Sequence, residues 1–204
     1  MALVAPEPIE TARLRLRLLQ KDDLPALLAM NADPEVTALL PYATWHSLAD
    51  GDAWYDRMRA IESTGQALQF VVVAKSTGSA IGTCLLFRHD AASARIELGY
   101  ALSRACWRQG FMREALVALL GRAFAGMGVR RVEAEVNTRN EASSALLARL
   151  GFTKEGVLRQ RWVTKGRAVD VEMHGLLAGE LRGDGSGATA RSSITAGEPR
   201  PAPP

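Results

Sequence analysis

A basic turn that contains one glycine opens directly into a long amphipathic helix near the middle of the chain. The turn reads Trp107-Arg108-Gln109-Gly110-Phe111-Met112-Arg113. The first N–H groups of a helix have no intrahelical acceptors, and the helix dipole places partial positive charge there. Such a turn can hold a phosphate or pyrophosphate through its backbone and its arginines. A carboxylate, Glu97, lies just upstream on a strand-like run. An ordinary helix start with surface arginines is the alternative interpretation.

Further landmarks follow that helix in a fixed order. They are Asn140-x-x-Ser143, Leu150-Gly151-Phe152 and Glu155-Gly156, and Glu114-Ala115 comes directly after the turn. Together with the basic turn, this ordered set resembles the GNAT superfamily of acetyl-CoA-dependent N-acetyltransferases. The branch it resembles most contains the ribosomal-protein N-terminal alanine acetyltransferases. The resemblance covers residues 11–177. Two positions of the turn, Trp107 and Met112, depart from the common family pattern.

The resemblance implies a fold and a co-substrate. The fold is a single α/β domain with a mixed, mostly antiparallel twisted sheet, a splayed central strand pair and flanking helices. The co-substrate is acetyl-CoA, with no metal. Its pyrophosphate would lie on residues 108–113, its pantetheine arm would contact Asn140, and strand N–H groups would polarise the thioester carbonyl. The strand positions implied are Leu98, Tyr100, Ala101 and Leu102.

Two side chains are candidates for catalysis. Glu97 is the candidate general base, because an attacking amine must lose its proton and free amines titrate at about 8 to 10.4. The resemblance implies that Ser143 is the proton donor to the leaving thiolate and also a cofactor-binding residue, whereas many members of that superfamily use a tyrosine on the same helix. The helix segment 144–150 contains no tyrosine for that task. The alternatives are that Glu97 is an exposed strand residue and that Asn140 and Ser143 only cap a helix.

Hydrophobic periodicity predicts the elements that must position these residues. Strands are predicted at residues 13–18, 69–75, 81–88, 94–102, 132–136, 159–164 and 168–176. Helices are predicted at residues 22–31, 110–126 and 142–149, and another ends near residue 63 after a loop at residues 41–54. That loop and its surroundings carry aromatic residues that either line an acceptor pocket or belong to the core: Trp45, Trp54, Tyr55 and Trp162. Of three scattered histidines, only His46 falls in this loop.

Composition limits the class of protein. The 204 residues, 48% hydrophobic and 23% charged, are enough for one globular domain. A formal net charge of +3 is small for a nucleic-acid-binding protein, so no nucleic-acid partner is predicted. Cys84 and Cys106 form neither a disulfide framework nor a zinc pattern. With no signal peptide and no apolar run near the ~20 residues that span a bilayer, the prediction is a cytoplasmic protein without a membrane partner.

These observations predict a flexible N-terminus at residues 1–10, an N-acetyltransferase domain at residues 11–181 and a disordered tail at residues 182–204. The predicted reaction is acetyl transfer to a primary amine by direct attack in a ternary complex. The acceptor is either a peptide N-terminus or a small amine such as an amino acid, polyamine or aminoglycoside. A non-catalytic acyl-CoA sensor is the alternative from another class, and a homodimer is left open. A nucleotide-binding domain is disfavoured because both common phosphate-loop motifs are absent.

Overall fold

A single mixed sheet organises the protein, for which a computed structural model describes residues 3–183. Within these residues the sheet has eight strands in the spatial order β1-β2-β3-β4-β5-β6-β8-β7. The strands are β1 (Ile9–Glu10), β2 (Leu14–Leu18), β3 (Leu68–Ala74), β4 (Ala80–Asp90), β5 (Arg95–Leu102), β6 (Arg131–Asn137), β7 (Thr153–Thr164) and β8 (Arg167–Leu177). Every neighbouring pair is antiparallel except β5 and β6, which run parallel. The predicted α/β class and mostly antiparallel sheet are confirmed.

Helices cover both faces of the sheet. They are α1 (Leu24–Asn31), α2 (Pro34–Thr37), α3 (Leu48–Ser63), α4 (Phe111–Gly126) and α5 (Glu141–Leu150). The main core joins α4 and α5 to one face, and a second cluster joins α1 and the Trp45 region to the other. Because successive strand side chains point to opposite faces, the two clusters share β3: Phe70 belongs to the first and Val71 to the second. All seven residues of β3 are therefore buried.

The amphipathic face predicted for α4 is confirmed. Its buried residues are Met112, Ala115, Leu116, Leu119, Leu120 and Ala123, spaced three and four apart. Helix α5 ends where predicted, at Gly151, whose φ of 103° lies in the left-handed region that glycine tolerates best. Both helices could be predicted because their apolar spacing and their terminal glycines are local sequence signals.

Three predicted boundaries were wrong. Helix α3 begins at Leu48, well inside the predicted loop, because Ser47 and Asp50 form a capping box in which Asp50 Oδ2 accepts from the Ser47 backbone N–H at 3.0 Å. Strand β7 begins at Thr153, six residues before the prediction, and its first nine residues are exposed, so no apolar alternation marks them. Strand β4 continues to Asp90, two residues beyond its predicted end.

The central parallel pair is short. Strands β5 and β6 pair only from Arg95 and Arg131 to Glu97 and Glu133. Beyond that register β5 continues to Leu102 against β4, while β6 continues beside β8. The two strands diverge from Glu97 onward, which is the splayed pair that the family resemblance implied.

The ends of the domain extend slightly past the predicted limits. Leu3 is buried in the main core and its N–H donates to the Gly65 carbonyl at 3.0 Å. Strand β1 also lies within the segment predicted as a flexible N-terminus. Residues 184–204, most of the predicted tail, lie outside the described residues. No helix between residues 3 and 183 has the length and apolar character to cross a membrane.

Candidate active site

A cavity of about 490 Å³ opens where β5 and β6 diverge. Strands β4, β5 and β6, the segment after α2, helix α3 and the start of α5 contribute its walls. The sequence-predicted residues that line it are Glu97, Leu98, Tyr100, Ala101, Asn140 and Ser143. The structure thus brings both candidate catalytic side chains to one cavity. Leu102 and the turn at residues 108–113 lie outside its lining.

Glu97 lies at the apex of the divergence, and its side chain is buried. Its side chain is 7% exposed, so the alternative of an exposed strand residue is wrong. Arg88 Nη1 donates to both carboxylate oxygens, at 3.1 Å and 3.0 Å. Burial raises the pKa of Glu97, and the Arg88 hydrogen bond lowers it against that effect. The site therefore holds a carboxylate whose pKa is raised toward the range useful to a general base.

Arg88 owes its position to an irregularity in β4. The pairing of β4 with β5 shifts register between Phe87 and Asp90, and Arg88 adopts a φ of 50°. A shift of this kind re-aims a side chain that regular alternation would point elsewhere. Arg88 was not predicted as a site residue, because neither its backbone conformation nor the register shift follows from the local sequence pattern.

A second buried carboxylate, Glu135, also lines the cavity and was missed. Trp162 Nε1 donates to Glu135 Oε2 at 2.7 Å, and Arg161 Nη2 lies 3.0 Å from Glu135 Oε1. Both donors follow a second register shift, between Leu158 and Trp162, where Gln160 has a φ of 49°. The alternating pattern of β6 predicted a half-buried strand. The charged face of β6 is covered by side chains from β7, which lie far along the chain, so burial of Glu135 could not be predicted from the pattern of β6.

Ser143 and Tyr100 form a pair of hydroxyl groups in the cavity. Their oxygens are 2.7 Å apart. Asn140 caps α5 by accepting the Ser143 backbone N–H at 3.1 Å, so the capping interpretation holds. Capping leaves the Ser143 hydroxyl available to Tyr100. Burial raises the pKa of Tyr100 and keeps its phenol protonated. Helix α5 contains no tyrosine, and the tyrosine hydroxyl beside Ser143 comes instead from β5.

The turn at residues 108–113 has the backbone geometry that an anion site requires. Gly110 is the residue before α4 and has a φ of 78°, in the left-handed region. The N–H groups of Phe111 and Met112 begin the helix, where intrahelical acceptors are lacking. The Met112 side chain is buried in the main core, so only its backbone faces the turn. The residues present therefore fit a pyrophosphate.

A network from the edge of the sheet fixes this turn, and it was not predicted. Glu114 accepts from Thr11 Oγ1 at 2.6 Å and from Arg13 Nε at 2.6 Å. Arg13 Nη1 donates to the Gln109 carbonyl at 3.0 Å, and its guanidinium lies 4.3 Å from the centre of the Phe111 ring. The Glu114 that follows the turn in the sequence is thus a structural anchor for it.

The aromatic residues divide between the cavity and the core. Tyr42, Trp54 and Trp162 line the cavity. Trp45 is buried in the second core cluster, with its ring 5.5 Å from that of Trp54, and Tyr55 packs against the same cluster. Two of the four aromatic residues proposed for an acceptor pocket therefore reach it.

None of the three histidines lines the cavity. The backbone N–H of His46 donates to Asp50 Oδ2 at 2.8 Å and so belongs to the cap of α3. His174 is buried, and its Nε2 lies 3.0 Å from Glu172 Oε2. Within residues 3–183 no group of three or more His, Cys, Asp or Glu side chains is placed to hold a metal ion.

Comparison with known proteins gives one consistent family. Residues 13–153 match the family model described as an acetyltransferase (GNAT) domain. The chain is 35% identical to the uncharacterized N-acetyltransferase p20 of Bacillus licheniformis, over 87% of this chain and 99% of that protein. A GCN5-related N-acetyltransferase from Brucella melitensis superposes with a TM-score of 0.77 at 27% identity, covering 88% of this chain and 83% of the other.

A further solved structure is similar in fold. Mycobacterium smegmatis RimJ, in complex with CoA-disulfide, has a TM-score of 0.78 at 23% identity, covering 86% of this chain and 90% of that one. At this identity the likeness shows the fold alone.

Proposed function

The chain belongs to the GNAT acetyltransferase family, and from that membership we propose that it acetylates a primary amine presented by a protein N-terminus. The observation that carries the proposal is one cavity lined by Glu97 and by the Tyr100–Ser143 hydroxyl pair. Those groups are a base and a proton donor, the two that acyl transfer to an amine requires. A small amine is the competing acceptor, because the same groups would serve it.

Acetyl-CoA, when bound, supplies an acetyl group activated as a thioester. We assign its pyrophosphate to residues 108–113 and its pantetheine arm to Asn140 and the free edge of β5. That edge spans residues 98–102, where β6 no longer pairs with β5. The alternate backbone N–H groups of this segment that point away from β4 have no partner in β6 and are available to a ligand.

Proton transfer falls to the cavity side chains. We assign Glu97 as the base that takes a proton from the acceptor's ammonium group. Ser143 Oγ is the proton donor to the CoA thiolate that leaves as the acetyl group passes to the amine. The hydrogen bond between Tyr100 OH and Ser143 Oγ can return a proton to Ser143. Burial that raises the pKa of Glu97 brings the carboxylate closer to the pKa of an amine, which favours the transfer.

The cysteines support direct attack rather than a covalent acetyl-enzyme. Cys84 is fully buried, its Sγ lies 3.8 Å from Met112 Sδ, and burial raises the pKa of its thiol to about 12. Such a thiol forms little of the thiolate that a nucleophile needs at neutral pH. Burial also raises the pKa of Cys106, which does not line the cavity.

The proposal is tested by measuring thiol release from acetyl-CoA with peptides that begin with Ala or Ser and with a panel of small amines. We expect turnover with the peptides. Ser143→Ala should lower kcat while leaving the Kd for CoA near the wild-type value. Turnover with small amines alone would replace the proposed acceptor. CoA binding without turnover on any amine would favour the non-catalytic sensor.

Arg88 provides a second test through the pH dependence of the reaction. Replacing it by Met removes the cation that lowers the pKa of Glu97, so that pKa should rise further. Because the base must be ionised, the acid limb of kcat/KM should move to higher pH, with activity lost at low pH and nearly unchanged at high pH. Arg15→Met, which removes an exposed arginine paired with Glu10, is the control. An acid limb at the wild-type position would contradict the assignment.

A further inference from the structure

One cation at the cavity has no carboxylate to balance it. Arg57 lies on the exposed side of α3 and lines the cavity. Among residues 3–183 its guanidinium has no hydrogen-bond or ion-pair partner, whereas Arg59, two residues later on the same helix, pairs with Glu62. The Arg57 donors are therefore available to a ligand that enters from the acceptor side.

The carboxylates of the cavity are already matched by other arginines. Glu97 pairs with Arg88, and Glu135 pairs with Arg161. Both carboxylates are buried, with side-chain exposures of 7% and 5%, while the two guanidiniums are 57% and 47% exposed. Arg57, Arg88, Glu97 and Glu135 line the cavity, and Arg161 binds Glu135 from outside the lining. Once both carboxylates are paired, by Arg88 and Arg161, the charge of Arg57 is left unbalanced.

This charge arrangement restricts the acceptor. A polycation could place one ammonium group at Glu97, but its second would find Glu135 already bound by Arg161 and Trp162 and would be repelled by Arg57. An acceptor that carries an anion close to its amine could place the amine at Glu97 and pair the anion with Arg57, since a guanidinium binds carboxylates through its forked donors.

Resting on the proposed function, we propose that Arg57 selects acceptors with a carboxylate a few bonds from the reacting amine. Two sources supply that chemistry: an acidic side chain at the second position of a protein N-terminus, or the carboxylate of a small amino acid. Arg57 acts on binding, so it should change KM rather than kcat.

The test compares acceptors that differ only in charge. Three peptides begin Ala-Asp, Ala-Asn and Ala-Lys and are otherwise identical, and 4-aminobutyrate, butylamine and 1,4-diaminobutane form the small-molecule series. We expect kcat/KM to fall in the order Asp, Asn, Lys, with about a tenfold range from the first to the last, as for partly exposed ion pairs. Preference within only one series would identify the source of the carboxylate. Isothermal titration of the peptides without acetyl-CoA gives Kd independently of catalysis.

Variants of α3 decide whether Arg57 is responsible. Arg57→Gln should remove the preference and Arg57→Glu should reverse it, both through KM and Kd. Arg59→Gln removes the same charge from the same helix outside the cavity and should keep the preference. Equal kcat/KM across both charge series, or a preference that survives in Arg57→Gln, would overturn this inference alone. Acetylation of no amine at all would overturn the proposed function and this inference with it.

Discussion

Replacing Gly110 by Asp is expected to abolish measurable CoA binding. The substitution places a carboxylate at the start of α4, where we assign the pyrophosphate, and Gly110 is the residue before the first helical N–H groups. Two negative charges about 4 Å apart near a protein surface repel by about 4 kcal/mol. A Cβ at this position would lie 3.5 Å from Arg13 Nη2, which offsets part of the repulsion, so we expect a loss of affinity on the order of a hundredfold to a thousandfold. Titration calorimetry with CoA measures it directly.

Gly110→Asn is the matched control for that experiment. Asn has the shape of Asp without its charge, and both residues tolerate the left-handed conformation that the φ of 78° imposes. Backbone strain should therefore be similar in the two variants. The two substitutions should lower the Tm measured by thermal unfolding by similar amounts. We expect Asn to weaken CoA binding by about tenfold, the effect of ~1.4 kcal/mol. If the Asp variant bound CoA as tightly as the Asn variant, the pyrophosphate would have to lie elsewhere.

Replacing Glu97 by Gln is expected to lower kcat by about 10²- to 10⁴-fold, the usual contribution of a positioned general base. The amide has a similar shape and cannot take a proton. The loss should be largest below the pKa of the acceptor amine, where deprotonation is hardest, and smaller above it. A pH profile of kcat for both proteins gives the comparison, and the Kd for CoA should change little.

Glu133→Gln controls for loss of a carboxylate at the same level of the sheet. Glu133 pairs in register with Glu97, but its carboxylate is held by Arg95 at 2.5 Å and by Arg131 at 2.9 Å, and it does not line the cavity. It should retain most of the wild-type kcat, with at most a small shift of the acid limb to lower pH, because the charge of Glu133 contributes to the raised pKa of Glu97. An equal loss of activity at all pH values in Glu97→Gln would indicate that Glu97 orients the acceptor instead of accepting its proton.

Much of the fold could be predicted because it depends on local patterns. Alternating leucines marked β2, steps of three and four marked α4, and the glycine after Leu150 marked the end of α5. Each signal is built from spacings of no more than four residues, over which backbone geometry alone decides which side chains share a face. Elements that pack weakly gave no such signal, so the exposed start of β7 was missed.

The site divides in the same way. The sequence by itself identified the turn around Gly110, the carboxylate of Glu97 and the helix start at Asn140, because these belong to contiguous motifs. Only the tertiary structure placed Tyr100 against Ser143, 43 residues away along the chain.

Two register shifts and one strand divergence account for the rest. The shift in β4 aims Arg88 at Glu97, and the shift in β7 aims Arg161 and Trp162 at Glu135. The end of the β5–β6 ladder at Glu97 then opens the cavity between them. Register and ladder length are set by packing between distant segments, so no local pattern encodes them. The residues that we assign to acetyl-CoA were therefore predicted from contiguous sequence motifs, while the charge balance of the proposed acceptor side was decided by the tertiary structure.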